Sequence, residues 1–352
     1  MPNYEIAVIG GDGVGPEVIE EGIKALEALG APAFRFTRFD WSSDRYKRTG
    51  RFIPEGGLER LATFDAIFFG AVGDEEVQDH ITLNNLILPI RRRFDQYACV
   101  RPAYLYAGVQ SPLAGKGAGD IDLVVIRENT EGEYADIGGR VYQRTDQEVA
   151  VQTSVFTRHG TERIIHYAFE EARRRDGRRK VTSITKSNAQ GHGMVFWDEV
   201  FDSVKAEYGD VETESLLIDA AAMDFVRRPQ DFDVVVASNL FGDILTDISA
   251  ITVGSMGLAP SANLNPERIH PSMFEPVHGS AFELIGKRQV NPIATILAAA
   301  MMVEFLGDER AGAAIREAVS ENLAEGRVRT PDIGGGSSTV EVGDDIVRRL
   351  SK

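Results

Sequence analysis

Two aspartates four residues apart, Asp243 and Asp247, could hold a metal ion. They follow an apolar run at residues 232–237, which predicts a buried strand. Asn239 is suited to cap a helix that begins near Phe241, and both carboxylates would then share one face of that helix. Like charges at this spacing repel each other, whereas Mg²⁺ or Mn²⁺ prefers such oxygen ligands. Alternatively, Asp243 interacts with the helix dipole and Asp247 is solvated, and this segment alone leaves both open.

Three more charged residues directly follow predicted strands. The strands lie at residues 121–126, 181–185 and 211–218, and they are followed by Arg127, Lys186 and Asp219. Functional side chains of open α/β sheets gather at the carboxyl ends of the strands. There an arginine fork can bind a carboxylate, a lysine of lowered pKa can act as a base, and aspartates can bind a hard metal ion.

Each of these residues also has a purely structural interpretation. Arg127 could pair with Glu128 or Glu131, Lys186 could be a surface residue, and Asp219 could cap the following helix. Chance explains each of these residues separately, but it explains less well a cation, a base and several carboxylates at the ends of several strands. We therefore favour one functional cleft.

The elements that position these residues alternate between strands and helices. Further strands are predicted at residues 4–10, 34–39 and 65–72, and helices at residues 17–29, 82–94, 157–175, 194–208 and from 292 onward. This alternation predicts an α/β protein with a mainly parallel sheet. Residues 105–120 are expected to form a connector, and residues 138–152 a projecting hairpin.

The first strand leads into a glycine loop at residues 10–16. A dinucleotide-binding fingerprint would require a third glycine at position 16 after Gly11 and Gly13, but that residue is Pro16. The loop can still contact a ligand. It does not predict a Rossmann fold.

The composition limits the class of protein. The chain has 352 residues, enough for two domains, and a net charge of -16, which disfavours a nucleic-acid partner. A single cysteine, Cys99, excludes an intrachain disulfide. The N-terminal residues lack a signal-peptide pattern, and the longest apolar run, at residues 293–303, is too short to cross a bilayer. We therefore expect a cytoplasmic protein that does not enter the membrane.

Three long motifs stand out: Gly-Asp-Gly-Val-Gly-Pro-Glu at 11–17, Asn-Leu-Phe-Gly-Asp-Ile-Leu-Thr-Asp at 239–247 and Glu-Pro-Val-His-Gly-Ser-Ala at 275–281. With them the chain resembles the β-decarboxylating dehydrogenases, which include isocitrate, 3-isopropylmalate and tartrate/D-malate dehydrogenases. The resemblance covers nearly the whole chain. It is strongest to the tartrate/D-malate dehydrogenases, through the segments at residues 68–73, 79–83, 92–97, 127–134 and 259–266.

The resemblance implies the two-domain isopropylmalate/isocitrate dehydrogenase-like α/β fold rather than the Rossmann fold. Residues 1–98 with 256–352 would form a larger, cofactor-binding domain. Residues 99–255 would form a smaller domain with the dimer interface, and residues 138–152 its interlocking arm. A homodimer with shared active sites is implied, in which Lys186 and Asp219 serve the neighbouring subunit.

The resemblance also implies the roles of individual residues. The expected catalytic residues are Lys186, Tyr134 and Asp219, and the expected metal ligands are Asp219, Asp243 and Asp247. The expected substrate-binding residues are Arg91, Arg101, Arg127, Asn84, Asn85, Ile87 and Leu88. The expected cofactor-binding residues are Glu275, His278, Gly279, Ser280, Ala281, Glu283 and Asn291. The substrate would be a small 2-hydroxy diacid, which is oxidised at C2 and then decarboxylated, with Tyr134 protonating the resulting enolate.

The cofactors implied are NAD and Mn²⁺ or Mg²⁺, and the resemblance allows K⁺ in addition. Glu283 occupies the position where family members that use NAD carry a carboxylate, which would repel the 2′-phosphate of NADP. The chain departs from the usual family pattern here, because Phe282-Glu283 replaces Pro-Asp.

Substrate choice in this family depends on the helix that carries Arg91. Ile87 and Leu88 cannot hydrogen-bond a third carboxylate, so isocitrate should be a poor substrate. Asn84 and Asn85 would be desolvated beside an isopropyl group, although tartrate/D-malate enzymes usually carry tryptophan where this chain has Asn84. We expect D-malate first, a tartrate second and 3-isopropylmalate third. An alternative of another class is a non-catalytic regulatory subunit of an isocitrate-dehydrogenase-like complex.

Overall fold

A computed structural model describes residues 3–351, so Met1, Pro2 and Lys352, which end the predicted larger domain, lie outside the described residues. The strands are β1 (Asn3–Gly11), β2 (Ala33–Phe39), β3 (Ala66–Ala71), β4 (Ala98–Tyr104), β5 (Asp122–Glu128), β6 (Gly132–Val141), β7 (Val149–Val155), β8 (Lys180–Thr185), β9 (Glu212–Leu217), β10 (Val234–Ala237), β11 (Pro260–Leu264) and β12 (Ser272–Pro276). The helices are α1 (Gly15–Ala28), α2 (Ser43–Thr49), α3 (Gly57–Leu61), α4 (Asp79–Thr82), α5 (Leu88–Arg93), α6 (Arg158–Arg175), α7 (Gly193–Lys205), α8 (Ile218–Arg227), α9 (Asn239–Thr252), α10 (Ile293–Phe305), α11 (Glu309–Glu325) and α12 (Thr339–Leu350).

Ten strands form one sheet in the order β2-β1-β3-β12-β11-β4-β5-β10-β8-β9. Both ends of this sheet are parallel, whereas β11 pairs antiparallel with β12 and with β4, and β4 pairs antiparallel with β5. The prediction of a mainly parallel α/β sheet is therefore confirmed. The three central strands β4, β11 and β12 were not assigned from the sequence, since they lie outside the strand–helix alternation. The division into two domains at residues 98/99 and 255/256 stays a prediction.

The pleat of the central strands directs their charged residues to one face of the sheet. Arg101 on β4, Arg127 on β5 and Glu275 on β12 line one cavity, while the adjacent Val100 and Phe274 line a cavity on the opposite face. Successive side chains of a strand point to opposite faces, so this alternation follows from the strand geometry alone. This alternation places charged residues that are far apart in sequence on the same face of the sheet.

Two predicted helices differ in detail from the structure. The continuous helix expected at residues 82–94 is α4, a π-helical turn at Leu83–Ile87, and α5. Helix α9 begins at Asn239, two residues earlier than predicted, and Ser238 rather than Asn239 is the N-cap residue. The Asn239 side chain instead accepts hydrogen bonds from Arg127, which explains why it does not cap the helix.

The predicted hairpin is present as β6 and β7, which form a separate two-stranded antiparallel sheet. Its apolar side chains, Ile137, Val141, Tyr142, Val149 and Val151, are exposed. Across residues 3–351, no helix is both long and apolar enough to cross a bilayer.

Candidate active site

A cavity of about 170 Å³ lies at the carboxyl ends of β3, β5 and β12. Six of the predicted site residues with charged or phenolic side chains line it: Arg91, Arg101, Arg127, Tyr134, Asp243 and Glu275. Its remaining walls come from β3, the π-helical turn, and the loop after β12 that begins at Val277. The structure thus brings together residues from α5, β4, β5, β6 and α9.

Asp243 is the centre of this cluster. Its Oδ1 accepts hydrogen bonds from Arg101 Nη1 at 3.2 Å and from Arg127 Nη1, and its Oδ2 accepts one from the Tyr134 hydroxyl at 3.0 Å. Arg127 is fixed further by Asn239, whose Oδ1 lies 2.7 Å from Arg127 Nη2. A cavity lined by buried guanidinium groups around one carboxylate is suited to bind a second carboxylate from a ligand.

The ionisable groups of this cluster shift one another's pKa values. Burial would raise the pKa of Asp243, but the guanidinium groups of Arg127 and Arg101 outweigh burial and lower it to about 2. Burial and the Asp243 carboxylate raise the pKa of the Tyr134 phenol, so Tyr134 remains protonated at neutral pH. Asp243 is therefore ionised at neutral pH, and the Tyr134 phenol beside it is protonated.

A second ion pair lies in the wall of the same cavity. Arg91 Nη2 donates to Glu275 Oε1 at 3.1 Å, and both side chains are more than nine-tenths buried. Asn263 donates to the same oxygen at 2.7 Å. The Nε of Arg91 is buried without a hydrogen-bond partner, so this guanidinium keeps an unused donor near the cavity.

Apart from Arg91, the helical segment expected to select the substrate contributes only apolar side chains to the cavity. Leu83, Ile87 and Leu88 line it, whereas Asn84 and Asn85 do not. Asn85 is exposed, and its amide donates to the Ile81 carbonyl at 2.7 Å, within its own helical segment. Leu83 was not singled out from the sequence, although its four-residue spacing from Ile87 was a usable signal.

Lys186 and Asp219 lie outside this cavity. They form an ion pair with each other, with Lys186 Nζ 2.5 Å from Asp219 Oδ1, and the Asp219 side chain is 62% exposed. The hydrogen bond from Lys186 lowers the pKa of Asp219. Within residues 3–351, no three His, Cys, Asp or Glu residues converge on a metal-sized site, so one chain does not unite the three predicted aspartate ligands.

Helix α9 nevertheless carries two carboxylates, those of Asp243 and Asp247, whose oxygens are of the kind that a hard metal ion binds. Burial and the neighbouring Asp243 carboxylate raise the pKa of Asp247. A divalent cation between these two carboxylates would reverse that unfavourable interaction. The carboxylates of α9 thus fit Mg²⁺ or Mn²⁺. The third predicted ligand, Asp219 of the same chain, lies outside the cavity.

A second cavity of about 580 Å³ adjoins the first at His278 and Gly279. Three more of the predicted cofactor-binding residues line it, namely Ala281, Glu283 and Asn291. Glu275 and Ser280 do not: Glu275 is paired with Arg91, and buried Ser280 accepts a hydrogen bond from the Val14 N–H through its carbonyl. Asp332, which accepts a hydrogen bond from Asn291 at 3.0 Å, also lines this cavity and was not identified from the sequence.

The glycine loop supports these cavities by close packing. Gly13 has φ +58, and a Cβ at this position would lie 2.2 Å from the Ser280 carbonyl oxygen. Asp12 accepts hydrogen bonds from the Ser43 N–H at 2.8 Å and from the Gly73 N–H at 3.1 Å. The loop therefore joins β1 to β3 and to the segment after β12.

Comparison with known proteins gives relatives along the whole chain. The isocitrate/isopropylmalate dehydrogenase family matches residues 5–346. A probable tartrate dehydrogenase/decarboxylase of Bacillus subtilis is 51% identical over 100% of this chain and 99% of its own length. A D-malate dehydrogenase (decarboxylating) of Escherichia coli is 49% identical over 99% of each chain. The crystal structure of an isocitrate dehydrogenase from Methylococcus capsulatus superimposes with a TM-score of 0.90 at 34% identity, covering 99% of this chain and 100% of that one. These matches confirm the fold predicted from the sequence. The chain belongs to the isocitrate/isopropylmalate dehydrogenase family.

Proposed function

We propose that the protein is an NAD-dependent and divalent-metal-dependent dehydrogenase that oxidises D-malate or a tartrate and then releases CO₂. The observation that carries this proposal is the cavity in which Arg91, Arg101 and Arg127 converge on Tyr134 and Asp243. Buried arginines of this kind bind a small dicarboxylate. The names of the relatives from Bacillus subtilis and Escherichia coli support tartrate and D-malate as the substrate class.

Residues of this chain would divide the work as follows. Arg101 and Arg127 bind a substrate carboxylate by paired hydrogen bonds, and Arg91, held by Glu275 in the cavity wall, orients the substrate. Tyr134, a protonated phenol, donates a proton to the carbon from which CO₂ has left. A bound nicotinamide cofactor would supply hydride acceptance, and a bound divalent ion would supply Lewis-acid chemistry.

The general base would come from a second subunit. Lys186 and Asp219 lie outside the cavity of their own chain, so we place Lys186 of the partner subunit beside the C2 hydroxyl, whose proton it accepts. Asp243 and Asp247 would hold the metal together with Asp219 of the partner subunit. The exposed apolar residues of the β6–β7 hairpin, and Met223 and Ile251 on α8 and α9, support a homodimer.

A second substrate has specific support. Leu83, Ile87 and Leu88 form an apolar wall, and the two asparagines expected to disfavour a hydrocarbon substituent do not line the cavity. This apolar wall makes 3-isopropylmalate a stronger candidate substrate than the sequence analysis indicated. The decisive experiment compares kcat/KM for D-malate, the tartrates, 3-isopropylmalate and isocitrate with NAD and Mn²⁺.

We expect D-malate to give the highest kcat/KM and isocitrate the lowest. A kcat/KM for 3-isopropylmalate more than about tenfold above that for D-malate, about 1.4 kcal/mol in transition-state stabilisation, would reverse the ranking. The absence of turnover with every acid and both nicotinamide cofactors would favour a regulatory subunit instead.

A further inference from the structure

The N-terminus of helix α9 is capped by a carboxylate that belongs to strand β6. Ser238, at the N-cap of α9, makes no side-chain hydrogen bond to its own helix. Instead, Glu133 on β6 accepts a hydrogen bond from the Leu240 backbone N–H at 3.0 Å and another from the Ser238 hydroxyl at 2.8 Å. The first N–H groups of a helix lack partners within the helix, and a negative charge there interacts favourably with the helix dipole.

Glu133 has no other charged partner to explain its position. Its side chain is half-buried, and it forms no ion pair with any residue between 3 and 351. Both of its hydrogen-bond donors belong to the first turn of α9 or to the residue before it. Its carboxylate thus connects β6 to α9 specifically.

The same connection joins the two residues that meet in the cavity. Tyr134 follows Glu133 on β6, and its hydroxyl lies 3.0 Å from Asp243 Oδ2, on the second turn of α9. Gly132 has φ +73, and a Cβ there would lie 3.2 Å from the Asn239 Cβ, so glycine permits β6 to pass close to the helix. The spacing between β6 and α9 therefore sets the spacing between Tyr134 and Asp243.

We infer that Glu133 is a positioning residue: its carboxylate holds β6 against the first turn of α9 and thereby aligns Tyr134 with the metal-binding carboxylate of Asp243. This inference rests on the proposed function of Asp243. Glu133 does not line the cavity, so its effect passes through the geometry of Asp243 and Tyr134. Groups that orient a metal ligand commonly change metal affinity by about 10-fold to 100-fold.

The test measures Mn²⁺ affinity of the full-length protein by calorimetry, without substrate. Glu133→Ala should weaken Mn²⁺ binding by about tenfold or more. Glu133→Gln, which keeps an oxygen acceptor for Leu240 and a polar partner for Ser238, should stay within about threefold of wild type. Should Glu133→Ala not fold, Glu133→Asp replaces it with the same expected loss, because its carboxylate is one methylene too short to reach both donors.

Asp308→Ala is the matched control for a purely structural cap. Asp308 accepts a hydrogen bond from the Ala311 N–H at the start of α11, a helix that does not line the cavity, so this variant should lower Tm and leave Mn²⁺ affinity unchanged. If Glu133→Ala also lowers only Tm, with Mn²⁺ affinity within about twofold of wild type, the positioning role is wrong.

A crystal structure of Glu133→Ala separates this inference from the proposed function. A wild-type protein that binds no Mn²⁺ refutes the proposed metal site. In that case, loss of the hydrogen bond between Tyr134 and Asp243 in the variant still supports positioning by Glu133, and an unchanged bond overturns it.

Discussion

Two inactive variants of this protein should restore activity to each other when their subunits mix. Lys186→Ala removes the proposed base, and Asp243→Asn removes a proposed metal ligand and the carboxylate between Arg101 and Arg127. Each variant alone should lose about 10²-fold or more in turnover. Because Lys186 lies outside the cavity that Asp243 lines, the two changes would damage different halves of the proposed shared site.

The size of the recovery follows from this arrangement. Equal amounts of the two variants, after complete subunit exchange, form about half of their dimers as heterodimers. In each heterodimer, one site combines the intact Asp243 of one subunit with the intact Lys186 of the other, and the second site carries both changes. One intact site in two, in half of the dimers, gives about one quarter of wild-type activity.

The assay is NADH formation from the best substrate, with subunit exchange verified by native mass spectrometry. A mixture of Asp243→Asn with Asp247→Asn is the matched control, because both aspartates lie on α9 and no site in that heterodimer is intact. We expect no recovery from the control. If the Lys186→Ala and Asp243→Asn mixture also shows none after verified exchange, shared active sites are refuted.

Three other changes have defined outcomes. Glu275→Gln should lower the free energy of unfolding in urea by about 2–4 kcal/mol, since it leaves the buried guanidinium of Arg91 without its counter-charge, and a loss below about 1 kcal/mol would contradict this. Burial raises the pKa of Asp243, but its arginine neighbours lower it to about 2 in the folded protein. Ionised Asp243 therefore stabilises the fold above about pH 4 and loses this effect as the pH falls towards about 2, so the stability gap between wild type and Asp243→Asn should narrow over this range and not stay constant. Glu283→Lys should raise kcat/KM with NADP relative to NAD, because it replaces a carboxylate that repels the 2′-phosphate; an unchanged ratio would exclude Glu283 from cofactor choice.

Much of the fold was predictable because its signals are local. Apolar runs ending at Arg127, Lys186 and Asp219 marked β5, β8 and β9, and each is present in the structure within a few residues. The failed glycine spacing at Pro16 argued correctly against a Rossmann fold. The antiparallel strands β4, β11 and β12 were missed because no helix alternates with them, and their pairing depends on partners far along the chain.

The candidate site was predictable as a set of residues and not as an arrangement. Local patterns placed Arg127 and Asp243 after predicted strands, and the family resemblance added Arg101 and Tyr134, but only packing puts all four on one cavity. Glu133 lies beside Tyr134 in sequence, but no local pattern indicated its role. Its partner is the N-terminus of α9, more than a hundred residues away.

The sequence by itself therefore determined which segments form strands and helices and which side chains could perform chemistry, since both depend on neighbouring residues. The tertiary structure decided which of these side chains meet. It placed Asp243 between two arginines and Tyr134, and it turned Asn85 away from the cavity into its own helical segment. It also placed the Lys186–Asp219 ion pair outside the cavity. Distances of this kind depend on how sheet and helices pack across the whole chain, and no short stretch of sequence encodes them.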